Sequence, residues 1–451
     1  MRKTAGLIVF LLLPGGAICA ETPRLALSLD QAVQASLETS DQWKSAKLGA
    51  EGAEDEALAQ RGRLMPRLSI DGSYSYLAEI PALRLTPQFP TIAFTTHNQY
   101  SIGPEVTWTA FSGGAITQAW RAAQANARAQ RQEAEAVRRQ IRLAARLAYF
   151  QAQLASEQVR LYAESYRVEQ AQYHDISVRY TNGESARVDL LSAEEDLLSR
   201  QNQLLQARAN LAAAIRDLAS ITRLGENLDP TWPLDDKTML EPTAEMPAST
   251  LILALDPVNE SLAKMDPKGV RLFDPHQPSL EYFAELAESA RRTAKSLEGG
   301  HWPTLSVLAS LMREYPNGPI AESVTQKTFG IGLSFPLFAG GETLYAVRAQ
   351  KRQAEATEET RAQTARNLLD SWLKARDQTA SLRLQQVLTR RAAERAAEVA
   401  RLRYEAYKLG QLRYLDVEDA NLKEVQAKVD AATTNVNLLI QLANLESLSE
   451  E

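Results

Sequence analysis

Apolar and polar residues alternate in four short stretches of this chain, and apolar residues recur every seventh position in longer ones. Leu68, Ile70, Tyr74 and Tyr76 alternate with Ser69, Asp71, Ser73 and Ser75. Tyr100, Ile102, Val106 and Trp108 alternate with Ser101, Gly103, Glu105 and Thr107. Leu305, Val307, Ala309 and Leu311 do so less cleanly with Thr304, Ser306, Leu308 and Ser310, and Phe329, Ile331, Leu333 and Phe335 follow with Gly330, Gly332, Ser334 and Pro336. A period of two with one apolar face predicts strands that bury one side. Each stretch is about ten residues long, which suits a transmembrane β-strand. Trp108, Phe111, Trp302, Phe335 and Phe338 gather at the strand ends, as in an interfacial girdle. On the strands alone, soluble hairpins capping a coiled coil fit equally well.

The sevenfold pattern follows the strands. Leu147, Leu154, Leu161 and Val168 are seven apart, as are Leu190, Leu197, Leu204, Leu211 and Leu218, and later Leu415, Leu422, Val429 and Val436. Such stripes predict coiled-coil cores. Residues 115–182 and 342–409 contain neither Gly nor Pro, and neither do 184–224 and 411–451. Ala, Glu, Gln, Arg and Leu fill these runs, all good helix formers. At 1.5 Å per residue the longer runs would reach roughly 100 Å. Thr181-Asn182-Gly183 and Lys408-Leu409-Gly410 sit between paired runs and read as tight turns, giving two antiparallel helical hairpins.

The chain is written twice. Phe111, Gly113, Gly114, Tyr180, Gly183, Asp189 and Ala193 recur as Phe338, Gly340, Gly341, Tyr407, Gly410, Asp416 and Ala420 at one common offset. Pro66 and Pro303 introduce the strand pairs, and the loop Pro81 to Thr96 would be an exposed hairpin tip. Ser28-Leu29-Asp30-Gln31 looks like a capping box opening a helix to about Arg63, with Gly49 and Gly52 as weak points. The counterpart helix is Leu280 to Leu297. Residues 226–280 hold eight of the 19 prolines and read as a connector, with a short helix near Leu251–Leu255. The expected organisation is a signal peptide at 1–20, a first repeat at 21–225, the connector at 226–280 and a second repeat at 281–451. The fold class is α+β, mainly α.

Charge and chemistry narrow the function. Arg2 and Lys3, the apolar Ala5 to Leu13 and small residues up to Ala20 read as a secretory signal. Cleavage there would remove Cys19, the only cysteine; Cys19 is alternatively a lipid-attachment site, although Ile18 stands where a small residue is expected. No segment has 18 or more apolar residues in a row, which leaves a β-barrel as the way to span a membrane. With a net charge of -6 and no basic stripe free of acids, nucleic acid is not an expected partner. His97, His174, His276 and His301 lack metal-ligand spacing, and no phosphate loop, nucleophile elbow or dinucleotide fingerprint occurs. No cofactor and no enzymatic activity are expected.

The Phe-x-Gly-Gly marks, the Tyr-x-x-Gly-x5-Asp turns, the Pro-opened strands, the duplication and the opening Leu27-Ser28-Leu29-Asp30-Gln31-Ala32-Val33 together resemble the TolC-like outer membrane factors. The resemblance implies a homotrimer with a β-barrel in outer-membrane lipid and a periplasmic α-barrel. It implies two partners, a periplasmic adaptor and an inner-membrane pump or ABC transporter, for efflux or type I secretion. Physics agrees, since four strands cannot close a barrel alone whereas three chains give twelve without edges. The alternative is a periplasmic coiled-coil structural or adaptor protein without its own pore. The resemblance also implies site residues. The turns Asn182-Gly183-Glu184 and Leu409-Gly410-Gln411 would dock the adaptor. Asp416 and Asp419, three apart on one helix face, would form acidic rings at the channel mouth. Tyr407 and Asp189 match the family's gate-closing Tyr and Asp. The family's Arg position is Leu412 here, and Arg413 lies one residue on, about 100° around the helix.

Overall fold

The computed structural model describes residues 24–83, 92–223, 252–265 and 271–449. The signal stretch with Cys19, most of the 226–280 connector and part of the Pro81–Thr96 loop lie outside these.

In chain order the elements are β1 (Arg24–Leu27), α1 (Leu29–Thr39), α2 (Asp41–Gly62), β2 (Arg67–Tyr76), β3 (Ala82–Leu83), β4 (Ile92–Ala93), β5 (Asn98–Phe111), α3 (Ala115–Thr181) and α4 (Arg187–Thr222). Then come β6 (Ile252–Leu255), α5 (Val258–Met265), α6 (Pro278–Glu298), β7 (Thr304–Tyr315), β8 (Val324–Ser334), α7 (Glu342–Lys408) and α8 (Tyr414–Leu448). The two longest helices, α3 and α7, each have 67 residues, as the matched Gly- and Pro-free runs predict. The architecture is mainly α, with two long strands ahead of each long hairpin.

By compactness the chain divides into two units. One comprises Met1–Ala35, Ala145–Met265 and Arg383–Leu439; the other comprises Ser36–Ala144, Asp266–Leu382 and Ile440–Glu451.

The second unit contains the sheet, in the order β2-β5-β7-β8 and antiparallel throughout. Opposed residues of an antiparallel pair share a face. The register Leu68↔Val106, Trp108↔Val307 and Val307↔Ile331 therefore places the apolar positions of all four strands on one face. That face is bare: Leu68, Ile70, Ile102, Phe329, Ile331 and Leu333 are all exposed. Ser69, Asp71, Ser73, Glu105, Thr107, Ser306 and Gly332 lie on the other. The strands have 10, 14, 12 and 11 residues. Trp108 and Phe111 mark one end of the apolar face. At the other, Tyr100 stacks on Tyr315 at 5.0 Å, beside Tyr74, so aromatics sit at both ends, with Arg313 and Lys327 at the Tyr315 end. Among the described residues, neither β2 nor β8 has a strand partner on its outer edge. The β5–β7 ladder, which joins the two repeats, skips Gly103 and Pro104; proline has no N–H to give. A Cβ on Gly103 would lie 2.0 Å from the Leu311 carbonyl oxygen.

Elsewhere in this unit Trp372, Ala375 and Leu445 form a core with Phe273, Leu373 and Leu448 around them. Along α3 the alanines at 125 and 129 are fully buried. They lie four apart on one face, where small side chains let helices approach closely.

The first unit holds β1 and β6, a parallel pair from Arg24↔Ile252 to Leu27↔Leu255. The sequence suggested a helix near Leu251–Leu255, and the strand there is a correction. Tyr149 of α3, fully buried, fastens the pair: its hydroxyl donates to the Leu27 carbonyl at 2.8 Å and accepts from the Asp256 amide at 2.9 Å. Gln153 donates to Ser261 at 2.9 Å.

The capping box is real, with Ser28 N–H donating to Gln31 Oε1 at 2.9 Å and Gln31 N–H to Ser28 Oγ at 3.3 Å. The helix it opens breaks at Ser40 and not at Gly49 or Gly52. Ser40 is extended and its hydroxyl accepts from the Trp43 amide, so it caps α2 anew. In α4 the Leu190-to-Leu218 stripe is buried or half-buried as expected. In α8 the expected stripe divides: Val436 is buried but Leu415 and Leu422 are more than half exposed, and Tyr414, Val417 and Asn421 take the interior positions.

Candidate functional site: the tip of the helical hairpins

The two turns sit side by side although 227 residues separate Gly183 from Gly410. Both are built alike. Gly183 N–H donates to Tyr180 O and Glu184 N–H to Arg179 O; Gly410 N–H donates to Tyr407 O and Gln411 N–H to Ala406 O. Paired bonds of this form close a helix through a left-handed glycine, and Gly183 and Gly410 have φ of 77° and 74°. Asn182, Gly183, Glu184, Leu409, Gly410 and Gln411 are all exposed. Arg179 donates to the Lys408 carbonyl at 3.4 Å, tying one turn to the other.

Behind the turns, Ile176, Ala193, Tyr407, Tyr414 and Val417 form a buried cluster, with Tyr173, Leu190 and Tyr404 against it. Three tyrosines of the second hairpin reach the first. Tyr404 donates to Asp175 at 2.9 Å, Tyr414 donates to Asp196 at 3.3 Å, and the Tyr407 hydroxyl lies 3.4 Å from Ser185 Oγ. Burial first, and the neighbouring carboxylates next, hold the Tyr404 and Tyr414 phenols well above their ordinary range, so both stay donors. Tyr407 and Asp189 do not touch directly. Ser185 stands between them and donates to Asp189 at 3.3 Å. The Arg413 side chain is exposed and lies 3.9 Å from Asp416 at the start of its own helix.

Asp416 and Asp419 both carry cationic partners. Asp416 accepts from the Arg413 amide at 3.3 Å, the capping geometry of a helix start. Asp419 is held by Lys423 at 2.8 Å and Arg403 at 3.0 Å. The Lys423 bond foremost, then that of Arg403, keeps its carboxyl below the usual carboxylate range. Sequence reasoning missed Arg403, Ser185, Asp175 and Tyr404, because nothing in their spacing distinguishes them from a solvated helix face.

It also missed a polar group deeper in the same bundle. Glu169 and Gln172 of α3, Asp196 and Arg200 of α4 and Asn421 of α8 are all buried. Ala193, Arg200 and Ala207 are seven apart, so a charge on the interior register was there to be read.

Among the described residues no helix is long and apolar enough to cross a membrane, and no group of three or more His, Cys, Asp or Glu is placed to hold a metal ion. The geometry is that of a bare apolar sheet in one unit and a helical tip in the other. Comparison with known proteins decides the family. The family model described as outer membrane efflux protein matches residues 32–222 and 276–449, one span in each repeat. The chain belongs to the outer membrane efflux protein family.

Solved structures of outer-membrane channels agree with it in fold. CusC, described in the context of transmembrane channel formation, is 16% identical with a TM-score of 0.73, covering 98% of this chain and 96% of its own. The Campylobacter jejuni outer-membrane channel CmeC is 16% identical with a TM-score of 0.72, covering 93% of this chain and 85% of its own. The Neisseria gonorrhoeae outer-membrane channel MtrE, in its open state, is 16% identical with a TM-score of 0.71, covering 93% and 88%. No curated protein sequence matches. As an outer membrane efflux protein the chain is a TolC-like channel component of the outer membrane, with a periplasmic helical extension. That sets aside the poreless periplasmic adaptor. Channels of this family are homotrimers that work with adaptors and inner-membrane pumps, and they are not enzymes.

Proposed function

We propose that three copies of this chain form the exit duct of a tripartite efflux pump or a type I secretion system. Substrate would pass from periplasm or cytoplasm to the exterior. The observation that carries this reading is the four-stranded sheet with one bare apolar face and two unpaired edges. Open edges are not tolerated in hydrocarbon, and three such sheets close into an even-numbered barrel. In this reading residues 1–20 are removed on export, 21–225 and 281–451 are the two repeats, and 226–280 links them. Native mass measurement of the detergent-solubilised protein should give a trimer, and that trimer should conduct ions in a planar bilayer. A stable monomer that conducts would overturn the reading.

At the tip, the exposed turns Asn182-Gly183-Glu184 and Leu409-Gly410-Gln411 dock the helices of a periplasmic adaptor. Asp416 and Asp419 narrow the mouth, and Tyr407, through Ser185, holds the second hairpin to Asp189 on the first. Arg403, Arg413 and Lys423 sit on the two aspartates, so the rings are partly neutralised. The Asp416→Ala, Asp419→Ala double variant leaves these three cations without their acids. Single-channel recordings should show cation preference lost and shifted towards anions, with block by multivalent cations abolished. Wild-type selectivity together with wild-type block would remove both aspartates from the constriction.

A further inference from the structure

The buried polar group of the tip is out of charge balance. Two buried carboxylates, Glu169 of α3 and Asp196 of α4, bear on each other, and the half-buried Glu418 of α8 bears on both. Only Arg200 of α4 bears on Glu169 and Asp196 as a cation among the groups that shift them. Glu169 and Arg200 are 2% and 4% exposed. Their contact is loose, with Arg200 Nε 3.8 Å from Glu169 Oε1, while Arg200 Nη1 donates to Gln203 at 2.9 Å. Asn421 of α8 bridges Glu169 at 3.1 Å and Gln172 at 2.9 Å. Glu169 Oε2 is buried without a hydrogen-bond partner. The neighbouring charges are spent elsewhere. Arg403 of α7 is taken by the Asp416 carbonyl and Asp419, and Lys428 of α8 pairs with Glu164 of α3 at 2.9 Å. Two ionised carboxylates against one guanidinium leave one uncompensated negative charge in a water-poor interior, and such groups neutralise by keeping a proton.

We propose that Glu169 and Asp196, which Asn421 and Tyr414 of α8 reach by hydrogen bonds, form a proton-binding site that couples pH to the packing of the second hairpin on the first. With a proton held between the two, α8 stays packed on α3 and α4; when the tip opens and the site hydrates, the proton leaves to water. Burial, then Glu418 and Glu169, push Asp196 from the 3.8 of a free aspartic acid up to about 7, and burial likewise pushes Glu169 upwards. A raised acid binds more protons when packed than when open. Packing is therefore strongest in acid, weakens as pH rises from about 4, and is weakest above about 7.

The site does not depend on the channel reading, although any effect on conduction would rest on it. Hydrogen exchange by mass spectrometry on the purified full-length protein, divided by the intrinsic chemical rate, reads the packing directly. Between pH 5 and 8, peptides around 165–200 and 404–424 should open more with rising pH, by up to roughly tenfold per unit, and level off near 7. Peptides of the sheet should not change. Asp196→Asn, which keeps an acceptor for Tyr414, should hold opening at its acid level across the range, and Glu169→Gln should blunt the rise. A wild-type profile without the rise, or the same rise in both variants, overturns the proposal. Bilayer recordings of the same samples separate the two claims: a proton-linked exchange profile with no conduction at any pH counts against the duct and not against the proton site.

Discussion

Gly103→Val is expected to abolish assembly of the outer-membrane barrel. A Cβ at this position would lie 2.0 Å from the carbonyl oxygen of Leu311 and 2.9 Å from Met312 Cα, both backbone atoms of β7. A side chain can turn aside, but a paired backbone can move only by parting the strands. The strands it would part are β5 and β7, the seam between the two repeats, where Gly103 and Pro104 already interrupt the ladder. Overpacking typically costs about 1–3 kcal/mol. Strand separation in lipid adds unsatisfied amides and carbonyls at several kcal/mol each. The heat-resistant oligomer on semi-native gels should fall at least about tenfold, which needs only about 1.4 kcal/mol. Gly72→Ala is the control. There a Cβ would meet Ile102 Cγ1 at 3.7 Å, an ordinary contact, so this variant should assemble like wild type. Full assembly and conductance of Gly103→Val would show that β5 and β7 do not pair this closely in the working protein.

Much of the architecture was legible because it depends on local chemistry. The long helices begin and end where Gly- and Pro-free runs do, and the alternating stretches became strands with their apolar positions aligned on one face. The misreadings have physical causes. Residues 252–255 are a short apolar run, for which periodicity cannot separate helix from strand, and what makes them a strand is a distant partner at 24–27. The helix break fell at Ser40 because its hydroxyl offers the backbone a cap, whereas Gly49 and Gly52 merely lower propensity. In α8, Leu415 and Leu422 keep the seven-residue spacing yet face outwards in a single chain; spacing defines a stripe and not what covers it. At the tip, the family pattern named Tyr407 and Asp189. Only coordinates show that Ser185 lies between them and that Tyr404 and Tyr414 make their own contacts. The links between the hairpins join residues more than two hundred positions apart, and no local pattern encodes them.

The second large effect is expected at the turns, where Trp at both Gly183 and Gly410 should stop export while leaving the trimer intact. Both glycines have positive φ, so any other residue is strained there, at roughly 1–2 kcal/mol each. That alone is too little to unfold a bundle of helices this long. Nothing lies within 4 Å of a Cβ built at either position, so a large side chain meets no part of its own chain. It would project into the space an adaptor helix must occupy. Asn tolerates the left-handed conformation far better than most residues, so the Asn pair separates backbone strain from obstruction. Cells carrying the Trp pair should lose export to the level of a strain lacking the channel, with wild-type amounts of trimer. The Asn pair should retain most activity. If both pairs fail equally, the glycines matter for turn geometry alone; if the Trp pair exports normally, the turns are not where the adaptor sits.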